Sequence, residues 1–246
     1  MKTNRSDEMT FLEHLGELRK RIFHSLFFIL VFFGISWFFV QEIFNWFTVP
    51  VIRFLPEGKK LAFTSLADPF MMYIKIAFIS GLFLSTPFIF YQLWLFVSPG
   101  LYRREKKYVM PFVFFTSVFF IGGALFGYYS VFPIAVEFFL NMGKEFEPII
   151  TIDKYYKLIF RILIGIGVVF ELPVLSFLLA KIGVLSSSFL VKYFKYAVIA
   201  IFVIAAIITP TPDIVTQSMF AIPMILLYGL SILIVRIAQP KSSGQQ

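Results

Sequence analysis

Residues Gly100–Tyr108 read GLYRREKKY, four cations and one carboxylate set between the apolar runs Phe70–Val97 and Tyr108–Val131. Each flanking run exceeds the ~20 helical residues that cross a hydrocarbon core of about 30 Å. A basic patch held between two such runs marks a loop between membrane spans, and its charge tells on which side the loop lies. The composition agrees. Of 246 residues, 59% are hydrophobic, 15% are charged and 35 are Phe, with a mean hydropathy of +0.86. A soluble core has no use for so many large apolar side chains. The net charge of +8 does not point to nucleic acid, because the cations gather at the ends of apolar runs, where they act as topology signals and headgroup contacts. Cysteine is absent, which excludes disulfides and thiolate chemistry.

Working outward from that loop, six runs qualify as transmembrane spans: residues 22–40, 70–97, 108–131, 155–180, 196–209 and 214–235. The last two are short, the fifth reaching only about 22 Å as a helix. Of the 22 cations, fourteen fall on the side of GLYRREKKY and six on the other, with Lys75 and Arg161 inside spans. Both termini are then cytoplasmic, as is that loop. Arg19-Lys20-Arg21 ahead of an apolar run imitates a cleavable signal peptide, but the run is long and no A-x-A-like site follows, so it reads as an uncleaved first span. The expectation is an all-α integral membrane protein forming one membrane domain over residues 1–246. It has an amphipathic cytoplasmic N-terminus (1–21), a cytoplasmic tail (236–246) and a concave bundle of helices. The segments Gln41–Asp68 and Ser130–Lys154 form an extracytoplasmic cap.

Several polar residues resist this lipid-facing scheme. Glu171, in Phe170-Glu171-Leu172-Pro173, stands ten residues before Lys181, roughly 15 Å of helix from the inner end of its span. A carboxylate cannot snorkel that far, so Glu171 is either an interhelical hydrogen-bond peg or a functional group facing protein or water. Pro173 lacks an N–H, which frees the Val169 carbonyl and predicts a bend beside Glu171. Lys75 and Arg161 read as snorkelling cations. Asp213, after Thr209-Pro210-Thr211-Pro212, suits either a helix cap or a functional role, and Gln217 one turn on can hydrogen-bond across helices. Gly123 and Gly127 have the spacing of close helix packing. His14 between Glu13 and Glu17 is a poor metal-ligand set and reads as a solvated helix face. No nucleotide-binding, hydrolase or metalloenzyme motif occurs, so neither an enzyme nor a cofactor is expected. A proton-coupled secondary transporter, with Glu171 as the coupling carboxylate, is the alternative, although no internal repeat supports it.

Three stretches together resemble the TatC family, the multi-spanning signal-peptide-receptor subunit of the twin-arginine protein translocase. Phe11–Arg21 is similar to the family's H-L-x-E-L-R-x-R. Tyr91–Phe96, continuing through Pro99-Gly100-Leu101 to Glu105-Lys106, looks like its aromatic and acidic cytoplasmic loop. Phe170-Glu171-Leu172-Pro173, with the Pro-rich turn ending in Asp213 and Gln217, makes the third. The resemblance implies a bacterial inner-membrane protein that binds twin-arginine signal peptides of folded precursors. It further implies export driven by the protonmotive force, without nucleotide hydrolysis, alongside single-span TatA/TatB-type subunits in an oligomeric complex. By matching motifs, Glu105 and Glu17 face the arginine pair and Phe96 and Trp94 shape the adjoining surface. Pro50, Pro87, Glu171, Asp213 and Gln217 become structural or functional positions, and Pro173 a structural one.

Charge chemistry fits that implication. A planar guanidinium docks side-on to a carboxylate through two charge-assisted hydrogen bonds, which an ammonium cannot do. The cations around Glu105 raise the cost for a cationic ligand that misses the carboxylates. Taken without the resemblance, Glu105 also reads as a carboxylate paired within its own helix turn.

Overall fold

The computed structural model describes residues 11–52, 61–97, 109–147, 149–209, 211 and 213–239. Among them the regular structure is helical: α1 (Phe11–Phe38), α2 (Val40–Ile52), α3 (Asp68–Val97), α4 (Val109–Phe126), α5 (Phe132–Met142), α6 (Ile152–Phe170), α7 (Leu172–Lys181), α8 (Ser187–Lys192), α9 (Phe194–Ile208) and α10 (Ile214–Ala238). A π-helical turn, Gly127–Val131, joins α4 to α5. Five helical stretches are long and apolar enough to cross a membrane, and α9 is a shorter apolar helix. The expectation of two short final spans holds for α9 only. α10 has 25 residues, about 37 Å, because Arg236 sits inside its last turn instead of ending it and Pro223 is accommodated within it.

Phe11–Arg21 and the apolar run that follows lie on the same helix, α1. No proline interrupts Phe11–Phe38, so the polar turns and the apolar run form one continuous 28-residue helix. The segments expected to form a cap are themselves partly helical, as α2 and α5.

Contacts group the chain into two compact units. The first takes in Met1–Ile43 and Ile74–Ser117. Here α1 and α3 run antiparallel, and their facing residues pair off in order. His14 stacks on Phe96 with ring centroids 4.4 Å apart, Arg21 reaches Gln92, and Phe28 stacks on Phe88 at 4.5 Å. The spacing of 14, 21, 28 and 32 on α1 is that of one helical face. At Gly81 the two backbones meet, since a Cβ there would come within 2.6 Å of the Phe33 nitrogen. The opposite face of α1, including Phe23, Phe27 and Leu30, stays exposed, as lipid contact requires.

The second unit takes in Phe44–Tyr73 and Val118–Gln246. Its core runs along α6, where Tyr156, Ile159, Ile162 and Ile166 are almost wholly buried. Of the two glycines spaced for packing, Gly123 is the one that needs to be small: a Cβ there would strike the Phe170 ring at 2.6 Å, whereas one at Gly127 would make ordinary contact. At one end, Ala62 bridges to Thr151 through Ala62 N–H to Ile150 O (2.9 Å) and Ile152 N–H to Ala62 O (2.8 Å), tying the segment after α2 to the start of α6. At the other, Ala180, Leu190, Val235 and Ala238 form a small cluster joining α7, α8 and α10.

Three tyrosines hold α2 in this unit. Tyr155 donates to the Phe47 carbonyl at 2.7 Å, Tyr156 to that of Phe44 at 3.2 Å, and Tyr128 to that of Trp46. The last contact answers Pro50. A proline at position 50 cannot donate to the carbonyl four residues back, which is that of Trp46. The Tyr128 hydroxyl takes the place of the missing N–H. Tyr128→Phe should therefore destabilise the protein by about 1–3 kcal/mol by leaving that carbonyl unsatisfied. In a Pro50→Ala background, where an N–H is restored, the same change should cost less than about 1 kcal/mol. Unfolding of the four proteins of this double-mutant cycle in detergent measures the coupling, and simple additivity would remove the link between the two residues.

Candidate functional site

The polar end of the α1–α3 pair is built by helical spacing. Glu17 and Arg21 lie one turn apart on α1, and the Arg21 guanidinium contacts Glu17 Oε1 through Nε at 2.7 Å and through Nη2. Its Nη1 donates to Gln92 Oε1 on α3 at 3.1 Å. Glu17 and Arg21 are each about one-fifth exposed, so the pair is partly withdrawn from water but reachable. One turn before Glu17, His14 stacks on Phe96, so the imidazole is part of an aromatic contact and not a freely solvated group. Trp94 is 1% exposed and packs on Phe112 of α4 at 4.6 Å, so it is buried and forms no part of the exposed surface. Glu105 falls outside the described residues.

Glu171 is the joint between α6 and α7. Its N–H turns back to the Val168 and Val169 carbonyls, the latter being the one Pro173 leaves free, and its own carbonyl accepts from Leu175 N–H at 2.9 Å. The bend expected from Pro173 is thus present as a break between two helices. Glu171 is 6% exposed, and among the described residues neither carboxylate oxygen has a side-chain hydrogen-bond partner. The Phe120 backbone on α4 lies beside it.

Asp213 caps α10. Oδ1 accepts the Thr216 N–H at 2.8 Å, and Oδ2 accepts the hydroxyls of Thr211 at 2.6 Å and of Thr216. Gln217 follows one turn later, half-buried, its N–H bonded to the Asp213 carbonyl at 3.0 Å. Pro87 lies inside α3, where the hydroxyls of Ser85 and Thr86 both bond the Leu82 carbonyl at 2.9 and 3.1 Å. Lys75 and Arg161 are exposed, as snorkelling requires. The structure therefore gathers Glu17 and Phe96 into one polar end, while Trp94 packs apart from them on Phe112. Glu171 and Asp213 occupy separate positions in the second unit, each with its own surroundings. Sequence reasoning passed over Gln92 and treated Arg21 as a topology signal; the four-residue spacing of Glu17 and Arg21 was the available clue.

The family model described as Sec-independent protein translocase protein (TatC) matches residues 13–223. The chain belongs to the TatC family. A Sec-independent protein translocase protein TatC from Koribacter versatilis is 46% identical over 95% of this chain and 88% of that one. Its counterpart from Campylobacter jejuni is 41% identical over 95% of this chain and 96% of the relative. A crystal structure of the twin arginine translocase receptor TatC superposes with a TM-score of 0.80 at 35% identity, covering 92% of this chain and 99% of that chain. The TatC family comprises protein translocase components and not enzymes, and the apolar helices make this member a multi-pass membrane protein. The solute-transporter alternative, which rested on Glu171, has no support from these relatives.

The Asp213 turn carries a pH signature. Hydrogen bonds from the Thr211 hydroxyl, the Thr216 hydroxyl and the Thr216 N–H hold its carboxyl down to about 2, below the ordinary value of about 3.9. Since the folded value is the lower, the stability this cap supplies is present above the unfolded value and is lost as pH falls through the folded one. The unfolding temperature should accordingly drop between about pH 4 and pH 2, with a shallower drop in Asp213→Ala. Thermal unfolding of both proteins in detergent across that range checks it, and parallel curves would contradict it.

Proposed function

We propose that this TatC-family chain is the signal-peptide receptor of a twin-arginine translocation system in the bacterial cytoplasmic (inner) membrane. It acts as one membrane domain with six spans, α9 being the short fifth, and with both termini cytoplasmic. The polar end of α1 and α3 then faces the cytoplasm, and the segments around α2 and α5 form the extracytoplasmic cap. The observation that carries the reading is Glu17: a partly buried carboxylate held in place at the end of α1, within the segment matched to the family. The distribution of cations, fourteen against six, supports the orientation.

In this reading, Glu17 and Glu105 accept the arginine pair of a precursor's signal peptide, and Phe96 flanks the apolar residues beside it. Binding positions a folded precursor for export driven by the protonmotive force, with single-span TatA/TatB-type subunits completing an oligomeric complex. Glu171 serves a later step. A carboxylate within the bilayer costs at least ~2.5 kcal/mol, and one with no side-chain hydrogen-bond partner among the described residues is suited to receive a polar group from a helix entering beside it. Gln217 and the Asp213 cap order the start of α10, while Pro50, Pro87 and Pro173 set local bends.

Two substitutions separate the steps. Glu105→Gln keeps the shape and one acceptor but loses the charge, so binding of a twin-arginine peptide to the detergent-solubilised protein should weaken roughly 5- to 10-fold. Unchanged affinity at low and moderate salt would sink the assignment. Glu171→Ala should leave peptide docking within about twofold of the parent while transport in membranes falls. Docking and transport are measured in the same vesicles, with thermal unfolding as the control for folding. Normal transport would reduce Glu171 to a structural residue, and failure at docking would merge the two steps.

A further inference from the structure

Glu17 is not a bare carboxylate. Its described contacts all fall on Oε1, which takes both Nε and Nη2 of Arg21, and Arg21 is tethered in turn to Gln92 on α3 at 3.1 Å. Two N–H groups fill the lone pairs of one oxygen, which leaves Oε2 as the acceptor for anything that arrives. Gln92 is 6% exposed, so the tether is a fixed point and not a surface side chain that swings away.

We propose that Arg21 is a specificity-determining residue of the signal-peptide site: held by Gln92, it neutralises Glu17 and makes the remaining acceptor selective for a guanidinium over an ammonium. The inference rests on the reading of Glu17 as an acceptor for the peptide's arginine. A lone carboxylate attracts any cation, and over several ångströms lysine and arginine look alike to it. Paired with a fixed guanidinium, Glu17 has no net charge, so that undirected attraction is largely cancelled. What remains is one directed acceptor beside a like charge. A guanidinium is weakly hydrated, presents several N–H groups in a plane and gives up little water to make that contact. An ammonium is compact and strongly hydrated; it meets the repulsion of Arg21 and loses more than it gains. The order of the pair along α1, glutamate before arginine at a spacing of four, is the favourable one for a helix.

The test uses the full chain in detergent and two synthetic peptides alike except for an adjacent Arg-Arg or Lys-Lys pair before an apolar stretch. Binding is measured at about 50 and 200 mM salt. In Arg21→Gln the Lys-Lys peptide should bind more tightly than to the parent, the preference for Arg-Arg should fall by roughly fivefold or more, and the salt dependence should steepen. Gln92→Leu, which changes no charge but releases Arg21, should shift the preference in the same direction by less. If both peptides gain equally in Arg21→Gln, Arg21 is only a competitor for Glu17, and the inference fails. It fails equally if the preference and the salt slope stay unchanged, since a merely structural residue would leave both alone. Thermal unfolding is followed for each variant, and if Arg21→Gln does not fold, Gln92→Leu decides the outcome alone. Glu17→Gln separates this from the underlying reading. If that variant binds the Arg-Arg peptide as the parent does, Glu17 is no acceptor and both fall; if it loses binding while the preference in Arg21→Gln is unaltered, only the role of Arg21 falls.

Discussion

In hydrocarbon there is no water to take up a backbone N–H or C=O, so every break in a helix has to be closed by the protein itself. This chain has prolines inside α2, α3 and α10 and one at the start of α7, and much of its particular shape follows from how the gaps are closed. At Pro50 the donor is a tyrosine hydroxyl from another segment of the chain. At Pro173 the backbone of Glu171 folds back on its own helix. The first solution ties two segments together, while the second is local. The proline that demands a distant donor is therefore the one that fixes tertiary structure.

The same constraint sorts the acidic side chains. Glu17 is satisfied by Arg21, and Asp213 by two threonines and a backbone N–H. Glu171 has no side-chain partner on either oxygen among the described residues. The two satisfied groups are ordered before any ligand arrives and can act by presenting a fixed acceptor. The unsatisfied one holds a cost that a suitable partner would relieve.

Much of this was legible in the residues. Hydropathy located the long spans because the requirement for about 20 apolar residues leaves a strong mark. The break at Glu171 was visible in Pro173, since the missing N–H is a local fact. Helix ends were less legible: nothing at Arg21 or Arg236 marks whether a charge ends a helix or lies along it, because a long cationic side chain permits both. The burial of Trp94 depends on Phe112, and the tether of Arg21 on Gln92, a partner 71 positions away. Such pairings come from how helices cross, which a hydropathy pattern does not contain. Glu105 was singled out by its lone negative charge in a basic stretch, and its setting remains outside the described residues.

The π-helical turn at Gly127–Val131 has a consequence for the phase of the rod it interrupts. Such a turn holds one residue more than an α-helical turn, and each residue advances the azimuth by about 100°. The helical run continues from α4 through the turn into α5, but the sides on which their residues project are offset by that angle. A helical wheel drawn straight through 109–142 would therefore send the second half to the wrong side. With the offset, Tyr128 and Val131 in the turn and Phe132, Ala135 and Val136 after it are all buried, while Tyr129 and Ile134 are exposed. One additional residue, at no cost in length that a membrane would notice, lets a single rod face lipid along one azimuth and the aromatic contacts of α2 along another.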